Sequence, residues 1–314
     1  MDIRALGGST LRTPRLVLGG NVFGWTAAGE EGFAILDRFA EAGGMMIDTA
    51  DVYSAWVPGH KGGESETYIG EWLKRRGRRD DVLIATKVGM LPWGDRRKLE
   101  PARIAQAAEA SLQRLGTHID LYYAHQDDDE TPLAETLGAF DVLVKAGKVR
   151  AIGASNYSAD RLGEALDISE REGLARYEVL QPEYNLIVRD NFEGDRQQVC
   201  IGRNVGVLPY FGLASGFLTG KYRSAADKAK SVRGGRMDAY LNDRGFAVLA
   251  ALDEVAAETG ATQAQVALAW LAARPGVTAP IASATSRAQL DDLLGVLTLE
   301  LTGEQVERLT AAGA

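Results

Sequence analysis

The chain has 314 residues, 46% of them hydrophobic and 25% charged, the balance of a soluble globular protein with a large core. A net charge of -8 argues against general nucleic-acid binding, a local basic groove apart. A single cysteine, Cys200, excludes an intramolecular disulfide framework and every Cys-cluster zinc site, so a reducing, cytoplasmic compartment fits.

From the N terminus, Met1-Asp2-Ile3-Arg4 reads as no signal peptide, and two short extended runs flank Gly7-Gly8-Ser9-Thr10, the pattern of a hairpin. Eight short apolar runs follow: Leu16–Leu18, Met45–Ile47, Val82–Ala85, Leu121–Ala124, Val149–Ile152, Glu178–Leu180, Val205–Leu208 and Val277–Ile281. Each has the length of a strand buried on both faces. Helical periodicity fills the gaps. Phe33, Leu36, Phe39 and Ala40 recur at three- and four-residue spacing before a Gly43-Gly44 stop. Thr131 is the expected N-cap of a later helix, with Pro132 at its first position and Leu133, Leu137, Phe140 and Val144 along one face. The first six strand-to-strand steps each span roughly 30 to 40 residues, one βαβ unit. The seventh is longer and leaves room for the loop Gly212–Arg236 and an additional helix. The apolar run Val266–Ala273 is too short to span a membrane. A last helix pattern, Glu304–Ala311, leaves no long C-terminal tail to cover a site.

Strands alternating with helices predict an α/β fold, a (β/α)8 TIM barrel spanning residues 1–314 as one domain, with an N-terminal β-hairpin and a long loop after strand seven. An open doubly wound sheet shares the strand count, but no Gly-x-Gly-x-x-Gly follows the first strand.

In a barrel the site lies at the carboxyl ends of the strands. Those ends carry Asp48 with Tyr53 five residues on, then Lys87, His125, Ser155-Asn156, Gln181, Tyr210 and Ser283-Ala284-Thr285-Ser286. A tyrosine is a poor acid at neutral pH, and the Lys87 ammonium is expected to lower its pKa and make Tyr53 a usable proton donor. Asp48 would hold the lysine charged, and His125 could hydrogen-bond a substrate oxygen. This set protonates a carbonyl oxygen but contains no hydride source. Asn156 and Gln181 could hold a carboxamide and Tyr210 could stack on a flat ring, a combination suited to a nicotinamide. His60 and His118 receive no role, and three histidines leave little capacity for metal chemistry. Asp127-Asp128-Asp129 reads as a solvated loop rather than a metal cluster.

The segments Ile47-Asp48-Thr49-Ala50-Asp51-Val52-Tyr53, Ile84-Ala85-Thr86-Lys87, Asp120-Leu121-Tyr122-Tyr123-Ala124-His125 and Gly153-Ala154-Ser155-Asn156 resemble the aldo-keto reductases. So do Leu180-Gln181-Pro182-Glu183-Tyr184-Asn185 and Gly216-Phe217-Leu218-Thr219-Gly220-Lys221-Tyr222, and the likeness runs from about residue 3 to 312. It is strongest to the broad bacterial branch that includes potassium-channel β-subunits. The resemblance implies an NAD(P)H-dependent reductase of aldehydes or ketones, with Asp48, Tyr53, Lys87 and His125 as the catalytic tetrad and Tyr53 as its acid. It implies that Ser155, Asn156 and Gln181 bind the nicotinamide amide, that Tyr210 stacks on the ring, and that Leu213, Ser215 and Lys221 surround the pyrophosphate. At the adenosine end it implies Ser283, Thr285, Gln289 and Asp292. The favoured basic partner of a 2′-phosphate is absent at Thr285, and Arg287 either replaces it or is a surface arginine. NADPH is favoured, with NADH open.

Trp25, Trp56 and Trp93 fall in the loops after the first three strands and would form an aromatic wall for an apolar or ring-shaped substrate, whereas Trp72 and Trp270 lie in helix patterns. The substrate expected is a small aldehyde or ketone, sugar-like or aromatic. Two other readings compete: a nicotinamide-sensing regulatory module with slow turnover, and a metal-dependent barrel hydrolase or isomerase using His125 and Asp127–Asp129.

Overall fold

The computed structural model describes residues 2–92, 98–230 and 234–314. A hairpin opens the chain: β1 (Ile3–Ala5) pairs antiparallel with β2 (Arg12–Pro14). Eight parallel strands follow, β3 (Val17–Gly19), β4 (Met46–Asp48), β5 (Leu83–Val88), β6 (Ile119–Ala124), β7 (Val149–Ser155), β8 (Tyr177–Gln181), β9 (Gly206–Val207) and β10 (Ile281–Ala282). They pair in chain order, and β10 returns to lie beside β3. The remaining seam is closed by a parallel bridge between Val207 and Val277, with the Thr278 and Ile281 amides donating to the carbonyls of Val207 (2.8 Å) and Pro209 (2.9 Å). All eight expected strands form, in a (β/α)8 barrel.

Helices α1 (Gly29–Glu41), α2 (Glu64–Arg76), α3 (Pro101–Leu115), α4 (Leu133–Lys145), α5 (Ala159–Glu172) and α6 (Asp195–Gly202) join the first seven strands. After β9 the chain makes short 3₁₀ turns, then α7 (Asp243–Thr259) and α8 (Gln263–Ala273), the extra length that the seventh step predicts. Helices α9 (Arg287–Leu294) and α10 (Gly303–Ala312) complete the outer layer. Every residue of α8 from Val266 to Ala272 is buried, so the long apolar run is a core helix. Trp72 and Trp270 are fully buried, as their helix positions suggest.

One helix start departs from expectation. Pro132, not Thr131, is the N-cap of α4, and no side chain caps it. The Thr131 hydroxyl instead donates to Asp128 Oδ2 at 2.8 Å, so a buried loop carboxylate has outcompeted the helix terminus for it.

Alternation along the strands builds two cores. Outward residues pack under the helices, while Val17, Met46, Leu83, Leu121, Tyr123, Val179, Leu208 and Ile281 fill the lumen. Leu6 and Leu11 belong to the inner set together with the first residues of β3, β4 and β5. The hairpin therefore plugs the amino-terminal end and leaves the carboxyl end open for chemistry. Gly153 is the lumen's concession to bulk: a Cβ there would lie 2.6 Å from the Tyr123 ring.

Candidate active site

At the open end, β4 terminates in Asp48, β5 carries Lys87 in register with Tyr123 of β6, and His125 follows β6. Lys87 is fully buried, and its ammonium donates to Asp48 Oδ2 (2.6 Å), the Thr49 carbonyl (2.7 Å) and Tyr53 Oη (3.2 Å). Three acceptors match its three protons. Burial acts to lower the Lys87 pKa, but Asp48 and Tyr53 outweigh it and the net direction is upward. Lys87 is a standing cation.

Tyr53 differs from expectation. Burial pushes its phenol up and Asp48 adds to that; Lys87 pulls it down without prevailing. The phenol therefore keeps its proton at neutral pH, with the Lys87 ammonium 3.2 Å from Oη. His125 packs edge-on to Tyr53, ring centroids 5.9 Å apart. Burial, then the Lys87 charge, holds its pKa well below the ordinary value, so the imidazole is neutral. Its Nδ1 is buried with no partner among the described residues, which assigns the proton to Nε2, since an N–H buried without an acceptor costs more.

The residues expected around a nicotinamide form one hydrogen-bond circuit with this centre. Tyr210 Oη donates to Asn156 Oδ1 (2.8 Å), and Asn156 Nδ2 donates to Ser155 Oγ (3.2 Å) and to the His125 carbonyl (3.1 Å). Ser155 Oγ donates to the Gln181 carbonyl (2.9 Å), and Gln181 Nε2 to Asp48 Oδ1 (2.9 Å). Asp48 thus receives Lys87 on one oxygen and Gln181 on the other. Asn156 holds a left-handed φ of 61°, one of the few side chains that tolerate it.

Beyond Tyr210, Ala214, Ser215 and Gly216 take positive φ values of 46°, 57° and 96° in succession. Such a run curves the backbone into a concavity of amides. Leu213 is half-buried at its start, Ser215 is buried within it, and the Lys221 ammonium approaches it over Gly216. At the last strand end Ser283 Oγ donates to Asn21 Oδ1 (2.6 Å), and the Thr285 amide and hydroxyl donate to Gln289 Oε1 (2.9 and 3.0 Å). Arg287 is exposed on the first turn of α9, and Asp292 Oδ1 accepts from Thr262 (2.9 Å). Trp25 and Trp56 meet edge-to-face at 5.9 Å, and Trp56 meets Tyr53 at 5.7 Å, giving a continuous aromatic edge that ends at the phenol. Trp93 lies outside the described residues.

The Aldo/keto reductase family profile matches residues 15–314. The aldo-keto reductase str7 of Strobilurus tenacellus is 33% identical over 290 residues, covering 90% of this chain and 81% of that protein. A probable voltage-gated potassium channel subunit beta of Arabidopsis thaliana is 31% identical over 306 residues, 93% of this chain and 90% of that one. The aldo-keto reductase yakc [NADP(+)] of Schizosaccharomyces pombe is 31% identical over 297 residues, 89% and 81% of the two chains. This chain belongs to the aldo-keto reductase family. It is an oxidoreductase of the kind that acts on small carbonyl compounds, in a family that uses nicotinamide cofactors. Among the described residues no helix is long and apolar enough to cross a membrane.

The acidic run of this aldo-keto reductase is spent on loop construction. Asp127 pairs with Arg161 (2.8 Å), and Asp128 accepts from the Leu99 and Glu130 amides and from Thr131. Two site neighbours escaped the sequence reading. Asn21, on Ser283, lies two residues past the end of β3, so its signal in the sequence is the same strand-end position that marks the other site residues. The Thr49 carbonyl, on Lys87, carries no sequence signal because it is backbone.

Proposed function

We propose that this aldo-keto reductase reduces an aldehyde or ketone to the alcohol with NADPH, Tyr53 being the general acid and residues 1–314 acting as one barrel domain. The observation that carries the reading is the buried ammonium of Lys87, shared between Asp48 Oδ2 and Tyr53 Oη. Tyr53 would deliver the proton from Oη to the substrate oxygen, Lys87 would stabilise the phenolate left behind, and Asp48 would keep Lys87 charged and aimed. His125, neutral with its proton on Nε2, would donate to the same oxygen and orient the carbonyl.

The residues present fit a nicotinamide dinucleotide. The half-buried Tyr210 ring offers a stacking face, and Gln181, held through Nε2 by Asp48, would turn its Oε1 to an incoming amide N–H. Asn156 and Ser155 would complete the carboxamide site, and Tyr210 would yield its bond to Asn156 as they do so. The concave backbone from Leu213 to Gly216, with Ser215 and Lys221, suits a pyrophosphate. Ser283, Thr285, Gln289 and Asp292 would serve the adenosine end. The exposed Arg287 would have to answer a 2′-phosphate, and the NADP(+) in the name of the yakc relative supports the choice of NADPH over NADH. When bound, the nicotinamide supplies the hydride.

The aromatic edge of Trp25 and Trp56, with Trp93 as its third expected member, suits flat or ring-shaped substrates. Following nicotinamide absorbance with a panel of aldehydes and both cofactors tests the reading. Tyr53→Phe is expected to cut kcat by about 10²-fold or more while cofactor affinity stays within about twofold. A variant turning over at the wild-type rate would remove Tyr53 as the acid.

A further inference from the structure

Behind the bowl lies a charged cluster, buried except for a partly exposed Arg114, that the reaction above does not use. It comprises Asp51 of the loop after β4, Glu66 of α2, and Arg103 and Arg114 of α3, with Tyr122 of β6 beside them. Glu66 is well served, since Thr86 donates to Oε1 (2.5 Å) and Arg114 to Oε2 (2.6 Å). Asp51 is not. Its oxygens are buried with no side-chain hydrogen-bond partner among the described residues; the Val52 amide lends the carboxyl a weak pull, and Arg103 Nη2 stands 3.8 Å away. That same Arg103 nitrogen donates to the Leu91 carbonyl in the loop after β5 (2.5 Å). The Asp51 amide donates to the carbonyl of Lys87 (3.2 Å). One buried residue thus touches the strand bearing Lys87 through its backbone and faces α3 through its charge, two positions before Tyr53.

We infer that Asp51, paired with Arg103, is a positioning residue that ties the Tyr53 loop to α3 and to the strand bearing Lys87. The inference rests on the reading of Tyr53 as the acid. Burial first, then the Glu66 charge, pushes the Asp51 carboxyl up to about 7 against the pull of Arg103 and Arg114. The groups facing it are Glu66 on α2, Arg103 and Arg114 on α3, Tyr122 on β6, and Tyr53 on its own loop. In the alkaline range where a phenol titrates, Asp51 is ionised, and its charge acts with burial and Asp48 to hold the proton on Tyr53. The enzyme therefore keeps its acid protonated further into alkali than it would with a neutral side chain at position 51.

The test is the pH profile of kcat for carbonyl reduction, with cofactor affinity and thermal unfolding measured alongside. Asp51→Asn, which keeps the shape and removes the charge, is expected to move the alkaline limb to lower pH by about half a unit or more, with cofactor affinity unchanged. Asp51→Glu, which keeps the charge, is expected to hold the limb near its wild-type position. A folded Asp51→Asn enzyme with an unmoved limb overturns the inference. So does failure of both Asp51→Asn and Asp51→Ser to fold, which makes position 51 purely structural. Tyr53→Phe in the same series separates the two levels. If it is active, the acid assignment itself falls; if it is inactive while the Asp51→Asn limb stays put, only the role of Asp51 falls.

Discussion

At the scale of single residues, the site works by opposing pulls on a few buried groups. Lys87 overcomes its desolvation because a carboxylate and a phenol are both within hydrogen-bond reach. Lys87→Met would leave Asp48 with a buried charge facing no cation, and is expected to cost kcat about 10²-fold or more and to destabilise the fold by about 3 kcal/mol. Activity assays and urea unfolding read the two losses. His125 and Asp51 make opposite contributions to the pH dependence of stability. The folded-state pKa of His125 is depressed, so the unfolded chain binds that proton first. Stability from it is present above its unfolded pKa near 6.5 and lost as pH falls below that value. Asp51 is raised to about 7, so the folded chain binds its proton first, and stability from it grows as pH falls from about 7 towards 4. His125→Gln is accordingly expected to lose less of its melting temperature than the wild type between pH 7 and 5. A parallel pair of curves would show that His125 does not carry the acid sensitivity.

At the scale of elements, local chemistry decides where helices begin and how closely strands approach. Thr262 and Gln265 form a reciprocal capping box at the start of α8, and Thr302 and Gln305 repeat it at α10. Thr262→Ala removes that cap and a bond to Asp292, and is expected to cost about 1 kcal/mol in urea unfolding. In β7 the absence of a side chain at Gly153 is a packing requirement. A Cβ would meet the Tyr123 ring at 2.6 Å and the Val179 carbonyl at 2.9 Å. Gly153→Ala should therefore destabilise by about 1 to 3 kcal/mol through overpacking. Because Tyr123 is in register with Lys87, the same change should also lower kcat; a stable, fully active Gly153→Ala protein would show that the lumen absorbs the methyl freely.

At the scale of the whole molecule, the barrel separates stability from chemistry along its axis. Leu6 and Leu11 of the hairpin join the lumen at the amino-terminal end, opposite the bowl. The double variant Leu6→Ala/Leu11→Ala is expected to lose about 4 kcal/mol or more in unfolding free energy by cavity creation, while KM at low temperature stays near wild type. A changed KM would mean that the plug communicates with the site. The aromatic edge of Trp25 and Trp56 lies at the other end, with Trp56 49% exposed, and is open enough for a ligand to stack against it.

The alternation of short apolar runs with helical periodicity determined the barrel, because a strand buried on both faces and a helix buried on one leave different periods in the sequence. The strand-end positions of Asp48, Lys87 and His125 followed from that count, as did the core places of Trp72 and Trp270. What the sequence left open depends on distances across the barrel. The Thr131 hydroxyl could serve a helix or Asp128, and only the folded loop chose. The direction of the Tyr53 pKa turned on burial and Asp48 as well as on Lys87. The approach of Arg103 to Asp51 joins positions 52 residues apart, and nothing in either segment announces the other. Periodicity is a local property of the chain, whereas an electrostatic balance is set by every group that closure brings within a few ångströms, and only the tertiary structure decides that.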